Sequence, residues 1–350
     1  MNKYIEAVRN IAIGKQPSFD ISKTLYTHGC TYLLSKINNE NNFTDKLKAK
    51  NLLNKICISE RYKACSAIFS EFKEHDISYA VIKGAVLSSS AYGSPFCRQS
   101  GDIDILINRR NIDKIKEIMF NNNFIQGKVT ESGIVPFSRQ EILFQSVMSH
   151  QTAPYIKENN NKICPYINVD FNFDIMWGES EAKADMNFVL QNTIETTIQG
   201  IVFKKLSPEM ELISLCLHHY KDLNSIYLLF ERGLTLNHFC DIYFFIKNCN
   251  INFETLCNYC QRLNVDKYVY YCLYYTNLIF NDGIIKKHMI KLYSTEAKEI
   301  LNSFGLDKKE RREWDIDFYT RLFDLNISEY LENTLSKEEL NKIHINQMFM

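Results

Sequence analysis

The chain has no net charge, no membrane-length apolar run and no cysteine framework, and each absence removes a class of function. Lys and Arg together number 41 against 41 Asp and Glu. That balance leaves no global footprint for nucleic acid or an anionic membrane, although a local basic patch stays open. The longest apolar run, Tyr268 to Phe280, is too short and too rich in tyrosine to span a bilayer. The first residues, MNKYIEAVRNIAIGK, lack the continuous apolar core of a signal peptide. A soluble, cytoplasmic protein with no membrane partner is the expectation. Eleven cysteines are present, but they are odd in number, scattered and mostly embedded in apolar segments. Reduced, buried thiols are therefore expected. Cys257 and Cys260 form a lone CxxC with no second pair or nearby histidine to complete a zinc site, so they are read as sharing a packed helix face. No internal repeat or low-complexity tract stands out. Gly and Pro are scarce beside Asn, Lys and Ile. This usage resembles that of an AT-rich bacterium and bears on origin rather than function.

What is present divides into three stretches. At 350 residues the chain can bury a sizeable core. Residues 1–75 read as an N-terminal helical region, with Leu25, Leu33, Leu34 and Ile37 on one apolar face. Tyr62, Cys65, Ile68, Phe69 and Phe72 form another at three- and four-residue spacing. Over residues 76–206 the period changes. Ser78 to Gly84 reads as a short apolar strand ended by glycine, Ala85 to Tyr92 as a small-residue helix broken at Gly93-Ser94-Pro95, and Asp102 to Ile107 as a second strand. Asn111 to Asn121 reads as an amphipathic helix, and a hairpin is expected around Asn159-Asn160-Asn161. Asn168 to Asp174 alternates, with Val169, Phe171 and Phe173 inward and Asp170, Asn172 and Asp174 outward. Residues 207–350 read as a C-terminal helical region, opened by a capping-type Ser-Pro-Glu at Ser207. The tyrosines from Tyr268 to Tyr275 are read as core. The fold class expected is α+β, a small mixed sheet flanked by helical regions.

The chemistry concentrates in Gly101-Asp102-Ile103-Asp104-Ile105. In a strand, alternate side chains share a face, so Asp102 and Asp104 point together while Ile103 and Ile105 point into the core. Two like charges 4 Å apart cost about 4 kcal/mol at an effective dielectric of 20. Either a pKa rises or a cation bridges them. Hard oxygen ligands suit Mg²⁺, which with few protein ligands usually completes its shell on a phosphate substrate. The pattern alone is weak, because Trp314-Asp315-Ile316-Asp317-Phe318 repeats the letters. That copy follows a charged run and no glycine-ended strand, and is read as part of a solvated helix face.

Strand, glycine, short helix, DxD strand and a later strand with a third Asp form the order of the DNA polymerase β-like nucleotidyltransferase fold. More narrowly, the chain resembles a bacterial nucleotidyltransferase family with a KG motif in place of the usual Gly-Ser. The matching pieces are Val81 to Leu87, Ala91-Tyr92, Arg98, GDIDI, Asn123-Phe124, His150, Val169-Asp170-Phe171, Leu215 to His218 and Asp241-Ile242, with His28-Gly29 upstream. The resemblance covers roughly residues 25 to 245. It implies a Mg²⁺-dependent transfer of a nucleoside monophosphate from an NTP to a hydroxyl acceptor, with release of pyrophosphate. Asp102, Asp104 and Asp170 would be the catalytic, metal-holding carboxylates, for two ions. Asp174 on the same strand face is the alternative third ligand. Family members often carry His two residues after the third Asp, where this chain has Asn172.

Around these, Gly84 lets backbone approach phosphates, and the following helix N-terminus offers free N–H groups. Lys83 reads either as a phosphate contact or as a strand-end lysine in solvent. Arg98 reads as a partner of the β/γ-phosphates, with a surface salt bridge as the alternative. Of Ser88, Ser89 and Ser90, Ser89 is the candidate phosphate donor, with small-residue packing explaining at least one of the three. His150, His218 and His219 are read as structural histidines. The acceptor expected is a small molecule or peptide. An RNA- or protein-modifying enzyme of the toxin or antitoxin type, and an inactive nucleotide-binding module, are the alternatives. Nucleic acid is not favoured, since RNA binding would want a basic groove.

Overall fold

The computed structural model describes residues 2–37, 42–148, 150–178, 180 and 182–348. Its frame is an eight-stranded mixed sheet of order β4-β3-β5-β6-β2-β1-β8-β7. The strands are β1 (Tyr79–Ile82), β2 (Ile103–Ile107), β3 (Ile125–Thr130), β4 (Gly133–Pro136), β5 (Tyr155–Glu158), β6 (Tyr166–Asn172), β7 (Thr193–Ile198) and β8 (Ile201–Leu206). A two-stranded ribbon, β9 (Ser303–Phe304) with β10 (Arg312–Glu313), lies among the C-terminal helices. The α+β class is as expected, but the sheet is not small. The added width is partly the β7–β8 hairpin, whose two-residue turn holds Gln199 and Gly200 at φ 52° and 78°. Paired positive φ values mark a turn that matches strand twist. Gln-Gly signals it more weakly than Asn-Gly, and the hairpin escaped the periodicity reading.

Strand parity sorts the core into two layers. Tyr79, Val81, Ile103, Ile105, Ile107, Val169 and Phe171 pack on one face against the long Asn42–Glu74 helix and the Ile112–Asn121 helix. On that long helix, Ile58, Tyr62, Cys65, Ile68, Phe69 and Phe72 form the buried stripe, as their spacing predicts. Ala80, Ile82, Leu106 and Leu206 face the other way, into a cluster shared by N-terminal helices and helices after Ser207. Each buried Ile or Phe contributes roughly 1.5–3 kcal/mol. Ile103, Ile105 and Ile107 together thus outweigh the repulsion that the carboxylates of β2 bring with them.

β2 runs antiparallel to β1 and parallel to β6, which places Asp104 opposite Ile82 on one side and Asp170 on the other. The face carrying Asp104, Asp170 and Asn172 is not a solvent face. The Pro208–Asn224 helix covers part of it, leaving Asn172 and Asp174 buried. The outward reading of these residues is therefore corrected: period 2 separates two faces without saying what covers each.

The Asp315-Ile316-Asp317 repeat is also placed differently from its reading. Asp315 sits in a bend, and Asp317 caps the Phe318–Phe323 helix by accepting from the Tyr319 and Thr320 amides. It lies in no strand, so its two carboxylates do not form a strand face. Cys257 and Cys260 share a buried helix face, and Tyr270, Tyr271 and Tyr275 are core, as read. Among the described residues no helix is long and apolar enough to cross a membrane.

Candidate active site

The site begins where β1 turns into the Gly84–Tyr92 helix. Lys83 sits at φ 56°, ψ −153° and Gly84 at φ 45°. The first is close to a region that side chains other than glycine enter at a cost of about 1–3 kcal/mol. Such strain persists only where the surroundings hold it. Here the Lys83 carbonyl accepts the first helical bond from the Leu87 amide at 2.9 Å, and Lys83 Nζ lies 3.4 Å from Asp104 Oδ1. Gly84 meets the loop before β2: a Cβ there would come within 2.8 Å of Ser100 Oγ. Ser100 Oγ in turn donates to the Asp102 carbonyl at 2.8 Å. Gly84→Ala should therefore lower stability by about 1–3 kcal/mol and loosen the Asp102 loop. Thermal denaturation checks this, and an unchanged Tm would remove the steric argument.

Asp102 ends that loop, Asp104 lies in β2 and Asp170 in β6, so two adjacent parallel strands gather three carboxylates. Burial, then the charge of Asp104, raises the Asp102 carboxyl above its ordinary range, against Lys83 and Arg61. Burial, then Asp102 and Asp104, pushes Asp170 up to about 7, again against Lys83. Asp170 Oδ1 is buried and has no hydrogen-bond partner. An orphaned buried acceptor beside two like charges is the chemistry of a cation site, and three oxygen donors fit Mg²⁺.

Asn172 explains its own departure from the family pattern. Its Nδ2 donates to Asp104 Oδ1 at 3.1 Å, orienting the carboxylate from the same strand face as Asp170. Asp174, the alternative third ligand, lies beyond the end of β6. Its carboxylate accepts from the Met176 amide at 2.8 Å and the Ala184 amide at 3.3 Å. It is committed to closing that loop.

Two spaces flank the carboxylates. Asp102 and Asp170 open onto a groove of about 260 Å³ bounded by Lys128, Pro154, Ile156 and Asn168. Lys83 and Asn172, which both touch Asp104, line a recess of about 20 Å³ with His150, His218 and Lys221. That volume holds about one water. Burial, then Lys221, lowers His150 to about 4. His218 is held well below its ordinary value by burial and then Lys83.

Arg98 is not at the protein surface in a loose ion pair. Its Nε donates to Asp241 Oδ2 at 3.1 Å, and Asp241 is fully buried. Tyr92 donates to the other oxygen at 2.6 Å. Burial opposes the Asp241 charge, yet Arg98 and His219 bring its pKa down to about 2. Two of the three serines are also committed. Ser88 Oγ donates to the Ser94 carbonyl at 2.7 Å, and Ser90 is held by Lys205 and Glu211. Ser89 remains half-buried on the same helix.

Sequence reasoning missed two cations. Arg61, on the long helix, is buried, donates to the Ser100 carbonyl at 2.6 Å and lowers Asp102. Its signal was an arginine inside the apolar stripe between Ile58 and Cys65. Lys221 lines the recess from the helix that carries His218. Its signal was the three-residue spacing, which places both on one helix face.

Comparison with known proteins adds a family. One solved structure is a crystal structure of an antigenic nucleotidyltransferase-like protein from Paracoccidioides brasiliensis. It is 17% identical, with a TM-score of 0.38, and the match covers 66% of this chain and 93% of that one. No curated protein matches this chain. Residues 27–281, most of the chain and all eight strands of the sheet, match the family described as uncharacterised nucleotidyltransferase. The chain belongs to that nucleotidyltransferase family.

Proposed function

We propose that this protein transfers a nucleoside monophosphate from an NTP to the hydroxyl of a small molecule or peptide, releasing pyrophosphate. The observation that carries the reading is the orphaned Asp170 Oδ1 next to Asp102 and Asp104. Asp102, Asp104 and Asp170 would hold Mg²⁺, one ion or two, which when bound neutralises phosphate charge and acidifies a hydroxyl. The rest falls to the chain's own groups. Gly84 lets backbone come close to the triphosphate, and Lys83 and Ser89 lie on the same turn and helix. Arg98 acts through the loop it anchors rather than as a free surface cation, since Asp241 holds its Nε. Asp170, the third carboxylate, would also help take the proton of the acceptor hydroxyl. The acceptor oxygen then bonds to the α-phosphorus as the bond to the pyrophosphate oxygen breaks.

The groove of about 260 Å³ beside Asp102 and Asp170 is our candidate acceptor side. Balanced charge gives no support to an RNA acceptor. A bacterial origin, and the cytoplasm as the place where NTP and Mg²⁺ meet a reduced protein, belong to the same proposal. Incubation with each α-labelled NTP, Mg²⁺ and a library of hydroxyl acceptors tests it. Label should appear in acceptor with stoichiometric pyrophosphate, and should be lost in Asp170→Asn but kept in Asp174→Asn. Equal activity of those two variants would refute the assignment of Asp170.

A further inference from the structure

A second cluster of ligating side chains lies outside the carboxylate triad. His218, His219 and Asp222 each present a ligand atom, all within 4.8 Å of one another. His238, from the Asn237–Asn248 helix, brings Nε2 to 3.4 Å from Asp222 Oδ2, and His218 Nε2 lies at the same 3.4 Å. The His238 contact is a long hydrogen bond, and the His218 contact exceeds the about 2.7–2.9 Å of a charge-assisted one. A tetrahedral zinc site with bonds of about 2.0–2.1 Å places neighbouring ligand atoms about 3.4 Å apart. The His218–Asp222 separation fits the edge of that tetrahedron.

Three further observations point the same way. His219 is completely buried, and neither ring nitrogen has a hydrogen-bond partner. Its Nε2 stands 3.4 Å from Asp241 Oδ2, outside hydrogen-bond geometry. His238 engages Thr235 through Nδ1, at 2.7 Å from the hydroxyl and 3.3 Å from the carbonyl, and its Nε2 is hydrogen-bonded to Asp222 Oδ2. A hydrogen bond from outside is how a metal-ligating carboxylate is usually held. Lys221 Nζ takes the other carboxylate oxygen of Asp222 at 3.5 Å, so only Oδ2 faces the histidines.

The geometry points to a zinc-type divalent metal site built from His218, His219 and Asp222, with His238 as the outer partner of Asp222 and Asp241 as that of His219. Imidazole-rich ligation selects zinc over magnesium. The site ties the Pro208–Asn224 helix to the Asn237–Asn248 helix. Through Asp241, bonded to Arg98 and Tyr92, it braces the loop that leads to Asp102. The inference stands apart from the nucleotidyl-transfer reading and uses none of its residues as ligands.

Chelator-treated full-length protein, dialysed against Zn²⁺ in excess Mg²⁺ and assayed by elemental analysis, tests the site. One zinc per chain should be retained, equally by Asp104→Asn. The Co²⁺ form should show hyperfine-shifted imidazole proton resonances. His218→Gln and His219→Gln should each weaken Zn²⁺ by more than the about 10–100-fold expected for the outer changes His238→Gln and Asp241→Asn. No retained zinc, loss of zinc in Asp104→Asn, or thiolate absorption in the Co²⁺ form would each overturn the assignment. The wild-type, Asp104→Asn and Co²⁺ measurements decide it even where a histidine variant fails to fold.

Discussion

Asp102→Asn should abolish nucleotidyl transfer, by about a thousandfold or more, and at the same time raise the Tm of the metal-free protein. The loss follows from removing a metal-holding carboxylate, an effect of several kcal/mol in which about 4 kcal/mol corresponds to roughly a thousandfold. The gain follows from electrostatics. Burial and Asp104 disfavour the charge of Asp102 in the fold, so a neutral isostere relieves a penalty that unfolding would otherwise relieve. Asp104→Asn should lose transfer equally without the gain in Tm. Its carboxylate is the partner of Lys83 Nζ and Asn172 Nδ2, and removing its charge takes away the ion pair of Lys83. Kinetics and denaturation of the two variants side by side check the contrast. A lower Tm in Asp102→Asn would mean that Arg61 and Lys83 outweigh burial and Asp104.

Asp170 should draw stability from the metal-free protein as pH rises from about 4 to about 7. The buried His28, His150, His218 and His219, with lowered pKa values, add stability over that window, so Asp170→Asn should make the protein's gain with pH steeper. A folded-state pKa raised from 3.8 to about 7 means that the native state holds a proton that the unfolded chain has released. The contribution of Asp170 falls between its two pKa values, where the native state binds more protons, and is level again above the upper one. At 1.36 kcal/mol per unit the effect reaches roughly 4 kcal/mol at most. Mg²⁺ competes with the same proton. Its affinity should rise up to about tenfold per pH unit below 7 and level off above it. Urea denaturation from pH 5 to 8, with and without Mg²⁺, measures both. An unaltered slope in Asp170→Asn would assign the titration to another group.

The strand–glycine–helix–DxD order was legible because each piece is local. Val81 to Gly84, the small-residue helix and Ile103 to Ile107 carry their periodicity in a few consecutive residues, and the structure has each within a residue or two. The β7–β8 hairpin was not legible, since Thr193 to Leu206 alternates poorly and its turn lacks the strongest residue pair. Arg98 shows a different limit. Its charge was visible, but its partner Asp241 lies 143 residues away, and no spacing rule reaches that far. Asn172 was noticed only as a missing histidine until its amide was placed on Asp104.

By itself, the sequence determined that Asp102 and Asp104 share a strand face and that a third aspartate follows on a later strand. These are consequences of a two-residue period that every strand obeys. Only the tertiary structure decided that β2 and β6 are parallel neighbours in the register that sets Asp104 against Asp170. It also decided that Asp174 is taken up by loop amides, and that histidines from two helices converge on Asp222. Strand order, register and helix docking come from burying apolar surface between segments far apart in the chain. That driving force is non-directional and has no local signature.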